Sequence, residues 1–156
     1  MVLVQGKLVG GVDVLREMLA DAAAGPLAAQ LGVAAREPLA ARMARLSSAA
    51  ENVLFMKGSP AAPRCGFSAQ AVALLAGAGL DAGAAREAGE AAPGAADFSL
   101  GALAYFDIFG DQEVREGLKV RESWPTFPML FHKGKLLGGL DIMRDMGDEL
   151  AQALKE

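Results

Sequence analysis

The chain has 156 residues, of which 53% are hydrophobic and 22% charged, values typical of one packed globular domain with a modest appendage rather than a disordered chain. The formal net charge of −4 argues against a nucleic-acid binder, which needs a basic surface for phosphates, and no apolar run approaches the roughly 18 residues of a membrane span. A single cysteine excludes an internal disulfide and a metal site built from several cysteines of one chain, and without a secretory signal it fits a reducing compartment.

The chain begins with a segment that is repeated near its end. Residues 1–18 align without gaps on residues 129–146 at a constant offset of 128, and nine of the eighteen positions are identical. Each copy predicts a strand, a Gly-Lys turn, a short strand, a Gly-Gly turn and a helix capped by Asp13 or Asp141. Such a match is too long to come from a shared turn signal, so we interpret it as a true internal repeat.

The repeat suggests the domain organisation. Because the second copy ends a domain, we interpret residues 1–24 as the C-terminal fragment of a preceding repeat, and without a cysteine this fragment is expected to bind no ligand. Residues 25–48 are predicted to be a linker, with some helix around Leu39–Leu46. Residues 49–156 are predicted to form a complete domain.

Within this domain, strands and helices are expected to alternate. Val53–Met56 is a short apolar run typical of a buried strand, and Phe67–Ala76 has helical spacing. Residues from about 82 to 103 contain almost no large apolar side chains, so a flexible insertion is predicted there. The remaining elements are a strand at Tyr105–Phe109, a helix capped by Asp111 that carries Val114 and Leu118, a rigid turn at Trp124–Pro128 and a strand at Met129–His132. This order predicts an α/β domain around a mixed sheet.

Cys65 is the clearest candidate for chemistry. It follows a proline-containing loop and directly precedes a predicted helix, where free N–H groups and the helix dipole favour a thiolate. Lys57 and Arg64 add positive charge nearby, and the alternative is a buried structural cysteine. Ser68 stands where a Cys-x-x-Cys pair would have its second cysteine, so one thiol cannot resolve a mixed disulfide within the chain. A second thiol from glutathione, a metal or cluster ligand role, or both remain open.

Five motifs occur in order between about Asn52 and Leu154, and together they resemble a monothiol glutaredoxin of the CGFS type. They are Met56-Lys-Gly58, Cys65-Gly-Phe-Ser68, Asp111-Gln-Glu-Val-Arg-Glu-Gly-Leu-Lys119, Trp124-Pro-Thr-Phe-Pro128 and Gly138-Gly-Leu-Asp141. The Gly-Gly-Leu-Asp form, the Phe-Asp-Ile-Phe strand and the leading repeat resemble the multidomain, PICOT-like members. The resemblance implies a thioredoxin-like fold, with a small mixed four-stranded sheet flanked by helices.

The resemblance also implies a groove for glutathione beside Cys65. Lys57 would pair with the glycine carboxylate, with Arg115 and Lys119 near the same end. The cysteinyl part would meet the backbone before Pro128, which resembles the cis-proline of the family. The residues implied for these contacts are Lys57, Cys65, Gly66, Phe67, Arg115, Lys119, Thr126, Phe127 and Pro128.

The other end of the implied groove lies at the start of the last repeat helix. Free N–H groups at Gly139 and Leu140 would receive the γ-glutamyl carboxylate, and the side chain of Asp141 would receive the adjacent ammonium. The plain alternative for Asp141 is that it only caps the helix. Trp124 is interpreted as a packing residue, and His132, the one histidine, as structural.

Taken with the resemblance, these residues predict a glutathione-dependent carrier of a 2Fe-2S cluster. Such a cluster takes four thiolate ligands, which two chains and two glutathiones would supply in a homodimer bridged through Cys65. The family implies BolA-type proteins and apo Fe-S acceptors as partners, and the cytoplasm, with the nucleus second, as the location. The alternatives are a glutathione-dependent disulfide oxidoreductase, at most weakly active, that uses Cys65 as its catalytic residue, and an inert interaction module.

Overall fold

The computed structural model describes residues 37–89 and 102–155 in full, together with the backbone of two short strands near the amino terminus. The chain divides into two compact units, Met1–Glu37 and Pro38–Glu156. In the first unit, strand β1 (Val2–Val4) pairs in antiparallel fashion with strand β2 (Lys7–Gly10), as the repeat predicts. The helix expected from Asp13 and most of the expected linker lie outside the described residues.

The second unit is a mixed sheet with helices on both faces. Its strands run in the order β4-β5-β3-β6-β7, where β4 and β3 are parallel to β5, while β6 is antiparallel to both β3 and β7. The elements in chain order are α1 (Leu39–Ser47), β3 (Asn52–Met56), α2 (Gly66–Gly77), β4 (Arg86–Glu87), β5 (Leu103–Asp107), α3 (Gln112–Arg121), β6 (Met129–His132), β7 (Lys135–Gly139), α4 (Leu140–Met146) and α5 (Glu149–Ala153).

The central strand β3 divides the core into two layers. Its side chains alternate between the faces, and all five of its residues are buried because both faces are covered. Phe55 packs with Phe106 and Phe131, at ring centroid distances of 5.5 and 5.2 Å, under α1 and α3. Leu54 and Met56 pack on the opposite face with side chains of α2, α4 and α5. The apolar run that predicted a buried strand therefore lies at the centre of the sheet.

The four expected strands are present as β3, β5, β6 and β7, and β4 adds a fifth at one edge. Strand β5 spans Leu103–Asp107, two residues earlier than the predicted Tyr105–Phe109. Strand β4 lies in the segment where a flexible insertion was expected, pairs with β5 through Arg86 and Glu87, and is followed by the buried Ala88. Two residues of backbone pairing need no apolar run, so the composition of this segment did not indicate a strand. Residues 90–101 of the same segment lie outside the described residues.

Helix α1 belongs to the body of the second unit, although residues 25–48 were expected to be a linker. The helix foreseen around Leu39–Leu46 is present, and it buries Met43 and Leu46 in the core layer under Phe55. Leu39, Met43 and Leu46 follow the i, i+4, i+7 spacing of an amphipathic helix, a pattern that is short here and flanked by alanines. The unit accordingly begins at Pro38 rather than at residue 49.

Candidate functional site

A groove of about 340 Å³ opens where three parts of the second unit meet. One wall comes from the end of β3 and from helix α3, a second from the turn before β6, and a third from the start of α4. The lining residues are Lys57, Phe67, Arg115, Lys119, Trp124, Pro125, Thr126, Phe127, Pro128, Gly139, Leu140 and Asp141. The structure therefore brings together all of the predicted cofactor-binding residues except Cys65 and Gly66, which lie beside the groove, directly before Phe67.

Cys65 occupies the N-cap position of helix α2, in extended backbone conformation, and is half-buried. The backbone N–H groups of Phe67 and Ser68 in the first turn of the helix lower the pKa of the Cys65 thiol, and the charge of Lys57 lowers it further. Partial burial opposes these effects, but the direction of the pKa change is downward. The thiol is therefore acidified for the reason that the sequence indicated, a position at a helix start beside a cation.

The loop between β3 and Cys65 is tied back at both of its ends. The N–H of Gly58 donates to Oδ1 of Asp107 at 3.0 Å, and the N–H of Arg64 donates to the Lys57 carbonyl at 2.9 Å. Gly58 has a φ of +85°, and a Cβ there would lie 2.5 Å from the carbonyl oxygen of Ala62, so only glycine fits this turn. The result is a fixed separation between Lys57 and Cys65.

Ser68 supplies a further link that the sequence did not reveal. Its side chain is fully buried, and its hydroxyl accepts a hydrogen bond from the backbone N–H of Lys57 at 3.1 Å. The residue that replaces the second cysteine of a Cys-x-x-Cys pair thus joins α2 to the end of β3. Its role is structural, because an oxygen at this position satisfies an N–H that would otherwise lack a partner.

Helix α3 contributes two cations to one wall. Asp111 caps the helix by accepting a hydrogen bond from the N–H of Val114 at 3.0 Å, and this cap was predicted. Arg115 and Lys119 lie one turn apart and both line the groove. The guanidinium of Arg115 lies 5.9 Å from the ring centroid of Phe109, and its Nε is buried, without a hydrogen-bond partner in the described structure but 3.8 Å from Oε1 of Glu116. Nζ of Lys119 pairs with the same carboxylate at 3.2 Å. Together with Lys57 these side chains form a cationic end to the groove.

The opposite wall is built from the Trp124–Pro128 turn and the start of α4. The cap predicted at Asp141 is not formed, because the helix begins earlier than expected: its N-cap is Gly139, and Asp141 lies in its first turn. The Phe127–Pro128 peptide bond is cis, as expected, and leads directly into β6. Trp124 was predicted to pack, and it does contact the core, but it also lines the groove. Its Nε1 is shielded from solvent without a hydrogen-bond partner in the described structure, and a Cβ on Gly139 would lie 3.0 Å from that atom. Gly139 therefore allows the close approach of the indole.

His132 lies away from the groove, at the end of β3 opposite to Lys57. Its Nδ1 lies 2.8 Å from Oδ1 of the fully buried Asn52, its cross-strand partner. Burial lowers the pKa of His132, the charge of Lys133 lowers it further, and the charge of Glu51 opposes both. These contacts agree with the structural role predicted for the histidine.

The sequence of the chain is similar to those of several named proteins. No protein-family model matches the chain. It is 39% identical over 155 residues to monothiol glutaredoxin-S11 of Oryza sativa subsp. japonica, and 40% identical over 111 residues to glutaredoxin-3 of Homo sapiens; these alignments cover 98% and 71% of the chain. The chain is a homologue of the monothiol glutaredoxins. It spans 27% of the length of each of these two relatives, which are therefore much longer proteins.

Solved glutaredoxin structures agree with this assignment. A truncated mutant of Trypanosoma brucei 1-C-Grx1 superposes with a TM-score of 0.52 at 28% identity, covering 72% of this chain and 84% of that one. Reduced poplar apo GrxS14 superposes with a TM-score of 0.51 at 29% identity, covering 74% and 89%. The expected thioredoxin-like fold is confirmed, and the resemblance to the multidomain members agrees with the length of the relatives.

Among residues 37–89 and 102–155, no helix is long and apolar enough to cross a membrane. Over the same ranges, no group of three or more His, Cys, Asp and Glu side chains is arranged to hold a metal ion. In the described structure, Cys65 is the one thiol at the groove.

Proposed function

We propose that this glutaredoxin homologue binds glutathione in the groove and that Cys65 and glutathione together hold a 2Fe-2S cluster between two protomers. The observation that carries the proposal is a groove with three cations in its lining and an acidified thiol at its rim. A small peptide with carboxylates and a thiol of its own matches each of these features.

The cationic end supports a carboxylate of the ligand at this position. Lys57, Arg115 and Lys119 all line the groove. Arg115 and Lys119 also contact the carboxylate of Glu116, at 3.8 and 3.2 Å, so a ligand carboxylate would compete with Glu116 for them. Charge-assisted hydrogen bonds to a carboxylate are stronger than neutral ones.

The remaining walls suit the rest of the tripeptide. Thr126 and Phe127 would offer main-chain groups to its cysteinyl residue, directly before cis-Pro128. At the far end, the N–H groups of Gly139 and Leu140 would face the γ-glutamyl carboxylate, and the exposed side chain of Asp141 would face its ammonium. Gly66 and Phe67 would lie next to the ligand thiol.

The cluster follows from counting thiolates. A 2Fe-2S cluster takes four, the chain has one cysteine, and two glutathiones added to two copies of Cys65 complete the set. Phe67, 60% exposed beside Cys65, offers an apolar surface to the second protomer. When bound, the cluster would supply a transferable iron-sulfur unit, because two of its four ligands are small molecules that exchange with solvent.

Partners and location form part of the same proposal. Apo Fe-S proteins would receive the cluster, and a BolA-type protein would replace one protomer, both as the family resemblance implies. The cytoplasm, with the nucleus as a second compartment, is the proposed location.

A second candidate function is favoured by the lowered pKa of Cys65. In a glutathione-disulfide oxidoreductase, the Cys65 thiolate attacks the glutathionyl sulfur of a mixed disulfide, and the substrate leaves as a thiolate that takes up a proton. A second glutathione thiolate then attacks the Cys65–glutathione disulfide, which releases glutathione disulfide and restores Cys65. This cycle needs one protein thiol and no iron.

Anaerobic reconstitution with iron, sulfide and glutathione tests the carrier, read by visible absorption and gel filtration of the same sample. We expect a coloured dimer that becomes a colourless monomer when glutathione is omitted or when Cys65 is replaced in Cys65→Ser. A colourless monomer under every condition would overturn the carrier. Turnover of a glutathionylated substrate by iron-free protein, with Cys65→Ser as the blank, then decides whether the oxidoreductase takes its place.

A further inference from the structure

Helix α3 presents three different stripes of side chains to its surroundings. Val114 and Leu118 are fully buried in the core. Arg115 and Lys119, one position further along, line the groove. A third stripe, at i, i+4 and i+8, consists of Glu113, Gly117 and Arg121, and it faces helix α1. Two of the three cations of the groove are thus carried on a helix whose other sides are held by the core and by α1.

Helix α1 contacts the third stripe at three points along its length. At one end, Nη2 of Arg42 donates to Oε2 of Glu113 at 2.7 Å. In the middle, a methyl group on Gly117 would come within 2.8 Å of Sδ of Met43, so the side chain of Met43 packs directly over this glycine. At the other end, the guanidinium of Arg121 donates to the hydroxyl of the buried Ser47 at 3.3 Å. These contacts set both the distance and the rotation of α3.

Arg42 makes the strongest of these contacts. Its side chain is only 15% exposed, and besides Glu113 it meets the carboxylate of Asp111 at 3.4 Å. Asp111 is the residue that caps α3. One guanidinium therefore bridges the cap and the first turn of the helix that carries Arg115, which a lysine with its single charged point could not do as well.

We propose that Arg42 is a positioning residue for the anionic ligand of the groove, acting through Asp111 and Glu113 on the placement of Arg115 and Lys119. The inference rests on the proposed glutathione site, because it concerns the end of the groove that receives the glycine carboxylate. Helix α1, which lies outside the groove lining, is then part of the machinery that selects a ligand with a carboxylate at that end. Loss of the Arg42 contacts leaves two carboxylates without this partner and frees the start of α3 to move.

Two ligands separate this role from general stability: glutathione and its glycyl monoethyl ester, which lacks the negative charge at the glycine end. Trp124 is the one tryptophan of the chain and lines the groove, so its fluorescence reports binding of either ligand to the full chain. The measured quantity is the ratio of the two dissociation constants. A partly unfolded variant lowers both affinities together, so the ratio is unaffected by the folded fraction.

We expect the wild type to prefer glutathione over the ester, and Arg42→Ala to reduce that preference by about threefold or more, the size expected within one charge network. Glu113→Gln, which keeps the shape of the side chain, should reduce the preference in the same direction. Lys135→Ala removes one positive charge from an exposed strand position, outside the groove lining and away from α3, and should leave the preference unchanged.

The outcomes are distinguishable. A wild type that binds neither ligand overturns the proposed glutathione site itself. A wild type that prefers glutathione, with the same preference in Arg42→Ala and Glu113→Gln, leaves the site standing and overturns the role of Arg42. An equal loss of preference in Lys135→Ala would also overturn it, since net charge alone would then account for the effect.

Discussion

The hairpins β1–β2 and β6–β7 are built from the two copies of the repeat and have the same internal geometry. Each residue of β1 pairs with the residue of β2 that the offset of 128 predicts from the second hairpin. Even the irregularity is shared: the register shifts between Val2 and Leu3 in the first hairpin, and between Leu130 and Phe131 in the second. Local sequence is therefore sufficient to specify the turn and the register.

The two hairpins differ in what surrounds them. Strand β6 also pairs with β3 and follows the cis Phe127–Pro128 bond, whereas in the described part of the chain β1 pairs with β2 alone. Strand β7 leads into Gly139–Asp141, which line the groove. The comparison shows that the repeat encodes a hairpin. The proposed binding site depends in addition on elements that are distant in sequence, and in the described structure only the second copy contacts them.

The largest difference between the two copies is expected in stability, when alanine replaces the first glycine of the Gly-Gly pair. A Cβ on Gly138 would lie 2.6 Å from Cβ of Ile142, so Gly138→Ala should lower the free energy of unfolding by about 1–3 kcal/mol through overpacking. The matched variant is Gly10→Ala in the first copy. Chemical denaturation followed by Trp124 fluorescence reports the second unit, where Gly10→Ala should have little effect. Equal losses in the two variants would contradict the tertiary origin of the constraint.

A smaller difference is expected in ligand affinity. Asp141→Ala should weaken glutathione binding by about tenfold, or ~1.4 kcal/mol, since a charged partner of the ligand ammonium is lost. Asp13→Ala changes the equivalent residue of the first copy and should leave the affinity unchanged. Calorimetric titration of both full-length variants makes the comparison. If Asp141→Ala binds glutathione as tightly as the wild type, Asp141 does not pair with the ligand ammonium.

The smallest effect concerns pH. The pKa of His132 is lowered by burial, so on acidification below about 6.5 the unfolded chain takes up a proton that the native histidine resists. Stability should therefore fall as the pH drops through this range. The first copy has Val4 at this position, which cannot titrate, and His132→Gln keeps a possible partner for Asn52 without titrating. Chemical denaturation at pH 7.5 and pH 5 should show that the free energy of unfolding depends less on pH in the variant than in the wild type. If the pH dependence is the same in both proteins, it comes from other titratable groups.

Much of the site could be predicted because its signals are local. The apolar run of β3, the cysteine ahead of a helix, the Asp111 cap and the Gly-Gly turn each depend on residues within a few positions of one another. Physical chemistry at that range, such as capping and helix-end electrostatics, does not need a partner from elsewhere. The structure confirms the first three, whereas Gly138 and Gly139 are the last two residues of β7 and lead directly into α4 without a separate turn. The ligand assigned to these elements is a proposal.

Other features depended on tertiary contacts that no local pattern carries. Ser68 is unremarkable in sequence until α2 brings its hydroxyl to the N–H of Lys57. Trp124 becomes part of the groove because Gly139 lets its indole approach. Strand β4 has no apolar signal, since its stability comes from pairing with β5.

The sequence by itself determined the hairpins, the core strand and the acidified thiol, because each arises from neighbours along the chain. The tertiary structure alone decided that helix α1, which carries Met43, packs into the domain. It also decided that α1 contacts α3, the helix that carries Arg115. The reason is geometric: a helix has several faces, and which face meets the core, a neighbour or a ligand is settled only when the helices pack.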